Sequence, residues 1–310
     1  MKIVAIEPIG MSDAQIRHYE EYFANMGHQL TVFPDRKEDA ESLKLRMQGA
    51  DIVIVSNIRL DEDILSACPQ LKMISVAFTG IDHIDQNYCR EHHITIYNAA
   101  GYATVAVAEL TIALILDLYR KITVLDAETR AGGTRGQFLG QQIRGKKVGI
   151  IGTGAIGKET ALLLQALGAE VCAWSRSESE ELRRHGISYL PLEELLATAD
   201  IISLHVPLTQ ETTHLLSAER LALCKSNSII INTARGNVID MPALANALQD
   251  GKIAGAAIDV FEIEPPLPLS HPLLSAPNCI VAPHIGYATR EAFDIRIDIV
   301  MRNVVEWIKG

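Results

Sequence analysis

The ten residues Val148-Gly149-Ile150-Ile151-Gly152-Thr153-Gly154-Ala155-Ile156-Gly157 constrain this chain more than any other stretch. Small and apolar residues up to Ile151 read as a buried strand. Gly152, Gly154 and Gly157 then form G-x-G-x-x-G, and residues 158–167 (KETALLLQAL) follow with the apolar spacing of a helix. Strand, glycine turn and helix in that order are the setting in which this motif binds a dinucleotide. Gly152 permits the tight turn, Gly154 lets backbone approach a pyrophosphate, and Gly157 lets the helix pack close to the strand. The N–H groups that open the helix, at Ala155, Ile156 and Gly157, face the phosphates with positive partial charge. Ordinary βα turns and methyltransferase-type loops use similar glycines, so the turn by itself leaves the nucleotide open.

The rest of the chain supplies two α/β units. At 310 residues it suits two domains rather than one core. In the first hundred residues, runs rich in Val and Ile (residues 2–6, 30–33, 52–55, 73–76 and 94–97) alternate with helical stretches such as 12–26 and 38–47. That alternation predicts a five-stranded parallel sheet with helices on both faces. None of its helices is opened by the glycine motif. Residues 102 to about 129 read as one long helix, apolar on most faces and therefore expected to be buried, bridging two domains or lining a subunit interface. A Gly-rich connection, 131–144, leads to the glycine turn. Later strands are expected at 171–174, 187–190, 201–204, 228–231, 255–258 and 280–282, with a final helix at 290–309.

Composition excludes several classes. The formal net charge of −10 argues against a nucleic-acid or anionic-membrane partner. Five scattered cysteines without metal-like spacing read as reduced thiols of a cytoplasmic protein, and no metal site is expected. The first residues, MKIVAIEPIG, read as a strand rather than a signal-peptide core. No apolar run reaches the roughly 18 residues of a membrane span.

Ligands of doubly wound sheets bind outside the carboxyl ends of the strands, so polar residues there carry most weight. About twenty residues past the glycine turn stands Trp174-Ser175-Arg176-Ser177, where an NAD site usually places a carboxylate. Arg176 could pair with a 2′-phosphate, with Ser175 and Ser177 as neutral donors, which favours NADP; a solvated arginine beside a tolerant NAD site is the alternative. Arg235, in Asn232-Thr233-Ala234-Arg235-Gly236, presents a fork that fits a carboxylate, or an ordinary surface ion pair. Asp259 closes a strand, and Glu264 precedes two prolines that hold its backbone extended; by residue type, Glu262 looks no different. His284 follows the last expected strand, where an imidazole can move a proton near neutral pH.

These motifs converge. GKKVGIIGTGAIG (145–157), HVPLTQET (205–212), INTARG (231–236), AAIDVFEIEPP (256–266) and APHIGYAT (282–289), with FTGIDHID (78–85) and VAELTIALIL (107–116), resemble the D-isomer-specific 2-hydroxyacid dehydrogenases over nearly the whole chain. That family includes phosphoglycerate dehydrogenase, glyoxylate/hydroxypyruvate reductase and formate dehydrogenase. The resemblance implies a Rossmann cofactor domain, residues 101–285, inserted into a flavodoxin-like substrate domain, residues 1–100 plus 286–310. Between them it implies a cleft that closes by a hinge.

The resemblance also implies roles by position. Arg235 would bind the substrate carboxylate and carbonyl oxygen, His284 would be the acid/base, and Glu264 the carboxylate hydrogen-bonded to it. Thr79 and Gly80 would hold the substrate carboxylate through backbone N–H groups. Thr233, Ala234, Arg235, Asp259 and His284 would line the nicotinamide end, and Val206 and Pro207, with Thr212, the adenosine side. His205 would then not be catalytic. Tyr102, Met241 and Tyr287 could shape the 2-substituent pocket or merely pack. Family members are commonly dimers through the cofactor domain, which makes the apolar helix at 102–118 and the Gly-rich stretch after it the candidate interface. No C-terminal regulatory domain of the longer phosphoglycerate dehydrogenases is expected.

The expected activity is hydride transfer between NAD(P)H and a small 2-keto acid such as glyoxylate or hydroxypyruvate. A dinucleotide-sensing binding protein of the corepressor type is the alternative from another class, and a phosphonate- or formate-oxidising relative a third reading.

Overall fold

The computed structural model of the chain describes residues 1–263 and 266–310. Two units form, one built from Met1–Ala103 and Ala288–Gly310, the other from Thr104–Tyr287.

The first unit holds a five-stranded sheet of β1 (Lys2–Ala5), β2 (Gln29–Val32), β3 (Ile52–Val55), β4 (Met73–Val76) and β5 (Thr95–Asn98). Its order is β2-β1-β3-β4-β5, with every pairing parallel. This is the flavodoxin-like order. The central strands β3 and β4 are wholly buried and read as continuous apolar or small residues, as a sheet covered on both faces requires. The last helix of the chain, Arg290–Lys309, returns to this unit. Ser75 Oγ donates to the Val300 carbonyl (3.2 Å), and Asn303 Nδ2 donates to the Asn98 carbonyl (3.1 Å).

The second unit holds seven parallel strands: β6 (Lys147–Ile151), β7 (Glu170–Trp174), β8 (Ser188–Tyr189), β9 (Ile201–Leu204), β10 (Ile229–Asn232), β11 (Gly255–Ile258) and β12 (Cys279–Val281). Their order is β12-β11-β10-β9-β6-β7-β8. The chain steps from β6 outward to β7 and β8, then returns to the other side of β6 with β9. The strand order therefore reverses at the carboxyl ends of β6 and β9, where a doubly wound sheet opens a crevice. Both sheets are doubly wound and parallel, as the alternating pattern predicts.

The expected long helix of residues 102–129 is two helices, Thr104–Arg120 and Ile122–Arg130. Lys121 breaks it by adopting the left-handed conformation (φ +49°). The Asp117 carboxylate accepts the Thr123 N–H (2.9 Å) and supplies a cap at the new start. Burial is also only partial. Ala108, Thr111 and Ile115 are enclosed, but the second helix buries no residue and leaves Ile122 and Val124 exposed. The helix after the glycine turn starts earlier than its apolar spacing suggests, at Ala155, and runs to Ala166.

Candidate active site

The glycine turn sits at the strand-order reversal. Gly152 has φ +97°, and a Cβ there would lie 2.6 Å from the His205 carbonyl oxygen. A Cβ on Gly157 would lie 1.9 Å from the carbonyl oxygen of Gly152, so the helix touches the turn backbone to backbone. Gly154 differs: it is the N-cap of the helix, and a Cβ would meet nothing within 4 Å. The space in front of Gly154 and the first-turn N–H groups of Ala155, Ile156 and Gly157, which have no acceptor within their own helix, fit a pyrophosphate.

The neighbouring strand ends complete this edge. Beyond β7, Ser175 is half-buried and Arg176 exposed. Among the described residues Arg176 makes no ion pair within 4.0 Å. Glu211, whose carboxyl is held below the usual range mainly by the Thr209 hydroxyl, also feels the Arg176 charge. Beyond β9, Val206 and Pro207 lead into a turn closed by the buried Thr212, whose hydroxyl donates to the Pro207 carbonyl (2.6 Å) and accepts the Thr209 N–H (2.7 Å).

His205 lies beneath the glycine turn. The residue is half-buried, and burial pushes its pKa down to about 3. The ring Nε2 lies 2.8 Å from Ser203 Oγ. A neutral imidazole held this way is part of the scaffold.

At the end of β10, Asn232 is fully buried; it donates to the Arg235 carbonyl (2.9 Å) and accepts the Ala234 N–H (3.0 Å). Thr233 pairs with Thr111 of the helix Thr104–Arg120, hydroxyl to hydroxyl at 3.1 Å. These contacts set the backbone from which the half-buried Arg235 projects, and its guanidinium also donates to the Ala234 carbonyl (2.7 Å). Gly236 is required here, because a Cβ would lie 1.9 Å from the Phe261 carbonyl carbon.

Asp259, almost completely buried at the end of β11, organises the loop after β12. Its two carboxylate oxygens accept the N–H groups of Ile285 and Gly286, each at 2.8 Å. That double anchor holds the two residues that follow an unusual backbone: His284 has φ +57°. A non-glycine residue held in the left-handed region costs energy, and such residues cluster at functional sites. The His284 ring packs edge-on to Tyr287 (centroids 5.5 Å apart).

Glu264 lies outside the described residues. Glu262 has a partner of its own: buried His271 accepts the Leu273 N–H at Nδ1 (3.3 Å), so its proton sits on Nε2, 3.1 Å from the Glu262 carboxylate. The resemblance between the two acids in the sequence is thus resolved for Glu262.

Thr79 and Gly80 belong to the first unit, just past β4. Thr79 is exposed, and its carbonyl is pinned by Asn98 Nδ2 (2.7 Å). Tyr102, in the same unit, is buried against Phe78, and Met241 lies in the hydrophobic core of the second unit. Met241 is therefore a packing residue rather than a pocket wall.

Several contributors escaped the sequence: Thr111, Asn98, and Asp259 as an anchor for the His284 loop. Only Asn232 left a trace, as a polar residue closing an otherwise apolar strand. Burial pushes the Cys89 thiol up to about 11 and those of Cys224 and Cys279 up to about 12, so none of these is a thiolate near neutral pH. Among the described residues no group of His, Cys, Asp and Glu is placed to hold a metal ion, and no helix is long and apolar enough to cross a membrane.

Comparison with known proteins agrees with this geometry. Residues 112–286 match the family model described as D-isomer specific 2-hydroxyacid dehydrogenase, NAD binding domain. A glyoxylate reductase of Thermococcus litoralis is 38% identical over 276 residues, covering 86% of this chain and 82% of that one. An acyclic imino acid reductase in complex with NADPH and D-Arg superposes with a TM-score of 0.90 at 29% identity, covering 100% and 97% of the two chains. A D-lactate dehydrogenase from Aquifex aeolicus, complexed with NAD and lactic acid, gives 0.86 at 31%, covering 100% and 96%.

The lowered pKa of His205 makes stability depend on pH. Its folded pKa, about 3, lies below the ordinary 6.5, so the unfolded chain takes up a proton that the folded chain resists. The stabilisation is complete above pH 6.5 and is lost as pH falls from there toward 3. Between about pH 7.5 and 5.5 the wild type should lose about 1.4 kcal/mol more stability than His205→Asn. Urea unfolding at both pH values measures this, and parallel losses in the two proteins would count against the lowered pKa.

Proposed function

The chain belongs to the D-isomer-specific 2-hydroxyacid dehydrogenases, NAD(P)-dependent enzymes acting on CH-OH donors, and on that premise we propose that it reduces a small 2-keto acid of the glyoxylate or hydroxypyruvate type with NADPH as preferred donor. The observation that carries this reading is the loop of His284, held in a strained conformation by Asp259 on the sheet edge that also bears Arg235 and the glycine turn.

The second unit is the cofactor domain in this reading, and the first unit the substrate domain. N–H groups at Ala155, Ile156 and Gly157 hold the pyrophosphate over Gly152 and Gly154. Val206, Pro207 and Thr212 border the adenosine, and Thr233, Ala234 and Asp259 border the nicotinamide. Ser175 and Arg176 meet the ribose, where a guanidinium in place of a carboxylate favours a 2′-phosphate.

When bound, the nicotinamide supplies the hydride that reaches the carbonyl carbon. Arg235 grips the substrate carboxylate in its fork and stabilises the negative charge growing on the carbonyl oxygen. His284 delivers the proton to that oxygen. Glu264 takes its role from its place in the motif, as the carboxylate that stabilises the imidazolium. Backbone N–H groups at Thr79 and Gly80 add donors to the substrate carboxylate. Oxidation of the hydroxy acid runs the same roles in reverse.

The protein is further proposed to be a homodimer working in the cytoplasm. Val124, Phe138, Leu139 and Val281 line a cavity of about 440 Å³ in the second unit, and Leu139 is 81% exposed. Apolar surface of this kind fits coverage by a second copy. The five thiols are all free, as in a reducing compartment, and cell fractionation tests that location.

A matrix of 2-keto acids against NADH and NADPH, scored by kcat/KM, tests the activity; a chain that binds dinucleotide without turning over any of them is a binding protein instead. His284→Gln should keep cofactor binding and lose about 10²–10⁴-fold in kcat; near-full activity sinks its acid/base role. Arg176→Ala should raise the KM for NADPH about tenfold or more and leave that for NADH within about twofold, whereas equal effects remove the 2′-phosphate role. Sedimentation should give twice the chain mass for the wild type and a shift toward the monomer for Leu139→Asp; a monomeric wild type at micromolar concentration rules out the dimer.

A further inference from the structure

Tyr189 is not among the residues assigned above, yet its hydroxyl stands between two parts of the cofactor site. It is the last residue of β8 and pairs with Ala173 of β7, next to the strand end that leads into Ser175 and Arg176. The Ser179 N–H donates to Tyr189 Oη (2.7 Å). Tyr189 Oη donates to Thr153 Oγ1 (3.1 Å), and Thr153 Oγ1 donates to the Ser177 carbonyl (3.4 Å). Each hydroxyl donates once and accepts once, so the chain of hydrogen bonds runs in one direction, from Ser179 to Ser177.

The result is a closed ring. Ser177 and Ser179 lie in the loop after β7, immediately beyond Arg176. Thr153 lies inside G-x-G-x-x-G, between Gly152 and Gly154. Two ion pairs brace the same region. Lys158, in the helix that the glycine turn opens, meets Glu181 at 2.7 Å. Arg183 pairs with Glu178 and lies over the Tyr189 ring, 5.6 Å from its centroid. Glu181 and Arg183 belong to the short helix Glu180–Arg184, whose N-cap is Ser179.

We propose that the Tyr189 hydroxyl is a specificity-determining positioning group, which ties the Ser175–Ser177 loop to the glycine turn so that the ribose and pyrophosphate sites form one rigid unit. The physical reason is reach. A guanidinium on an exposed loop must be placed within hydrogen-bond distance of a 2′-phosphate while the pyrophosphate is held at the turn. A loop free to move loses affinity to the cost of ordering it on binding. NADH lacks the 2′-phosphate and so draws little from the placement of Arg176. Tyr189 therefore acts on the choice between the two cofactors rather than on the chemical step. The inference rests on the NADP reading above.

Tyr189→Phe tests it, because the ring keeps its packing and its place under Arg183 while the hydroxyl goes. Dissociation constants for NADPH and NADH, read by nucleotide fluorescence without any turnover, should show the preference for NADPH falling by about three- to tenfold, the worth of one or two neutral hydrogen bonds. The KM for the keto acid should stay unchanged. Thr153→Val breaks the same ring from its other side and should shift the preference in the same direction, with the double variant no worse than the stronger single one. It also keeps the test open should Tyr189→Phe fold poorly. A thermal midpoint that drops while the preference holds would mean that Tyr189 only supports the fold, and overturns the proposal. A wild type that binds neither dinucleotide overturns the cofactor reading itself, and this inference with it. A wild type that prefers NADH, with the ratio unmoved in both variants, overturns the inference as well.

Discussion

A methyl group added to Gly157 would lie 1.9 Å from the carbonyl oxygen of Gly152, and the rest of the second unit depends on that closeness. It lets the helix Ala155–Ala166 begin directly over the turn, with its first N–H groups aimed at the crevice rather than into the sheet. The same turn rests on the end of β9, where a Cβ on Gly152 would meet the His205 carbonyl at 2.6 Å. Nothing but hydrogen fits on either side. The turn is thus packed where it meets protein and open at Gly154, where it can meet a ligand. His205 is kept neutral beneath it, so no buried positive charge is left unpaired in that packing.

The remaining strand ends are held by buried polar side chains rather than by apolar contact. Asn232 shapes the backbone before Arg235, and Asp259 receives two N–H groups that fix the backbone directly after His284. Both residues bring a polar group into the core, and both have their hydrogen bonds satisfied, which makes them rigid. Rigidity matters for the proposed chemistry, because a proton donor and a carboxylate fork act only within a narrow geometry. The strained φ of His284 fits this view: a bistable or loosely held loop would relax it.

Much of the fold was legible in the chain. Central strands such as Ile52–Val55 and Ile201–Leu204 stand out as apolar runs because parallel sheets are covered on both faces. The edge strands β2, β5, β8 and β12, half solvated, blur at their ends by a residue or so. The break at Lys121 was not legible, since an apolar helical pattern continues through it. Only a side chain from the preceding turn, Asp117, made a new start there. The extent of burial was not legible there either, since the same apolar pattern runs through Ile122 and Val124, which are exposed.

For the site, the sequence alone determined the residue types at the strand ends: three spaced glycines, an arginine where a carboxylate is usual, Arg235, Asp259 and His284. These are legible because parallel strands place their carboxyl ends on one edge whatever the details of packing. Only the tertiary structure decided what holds them. It gave Glu262 to His271, made Met241 a core residue, and turned Asp259 into the anchor of a loop 26 residues further on. It also closed the ring from Ser179 through Tyr189 and Thr153 to Ser177. A hydrogen bond between distant residues leaves no periodicity and no spacing in a single sequence. It exists only once the backbone has brought donor and acceptor within about 3 Å of each other.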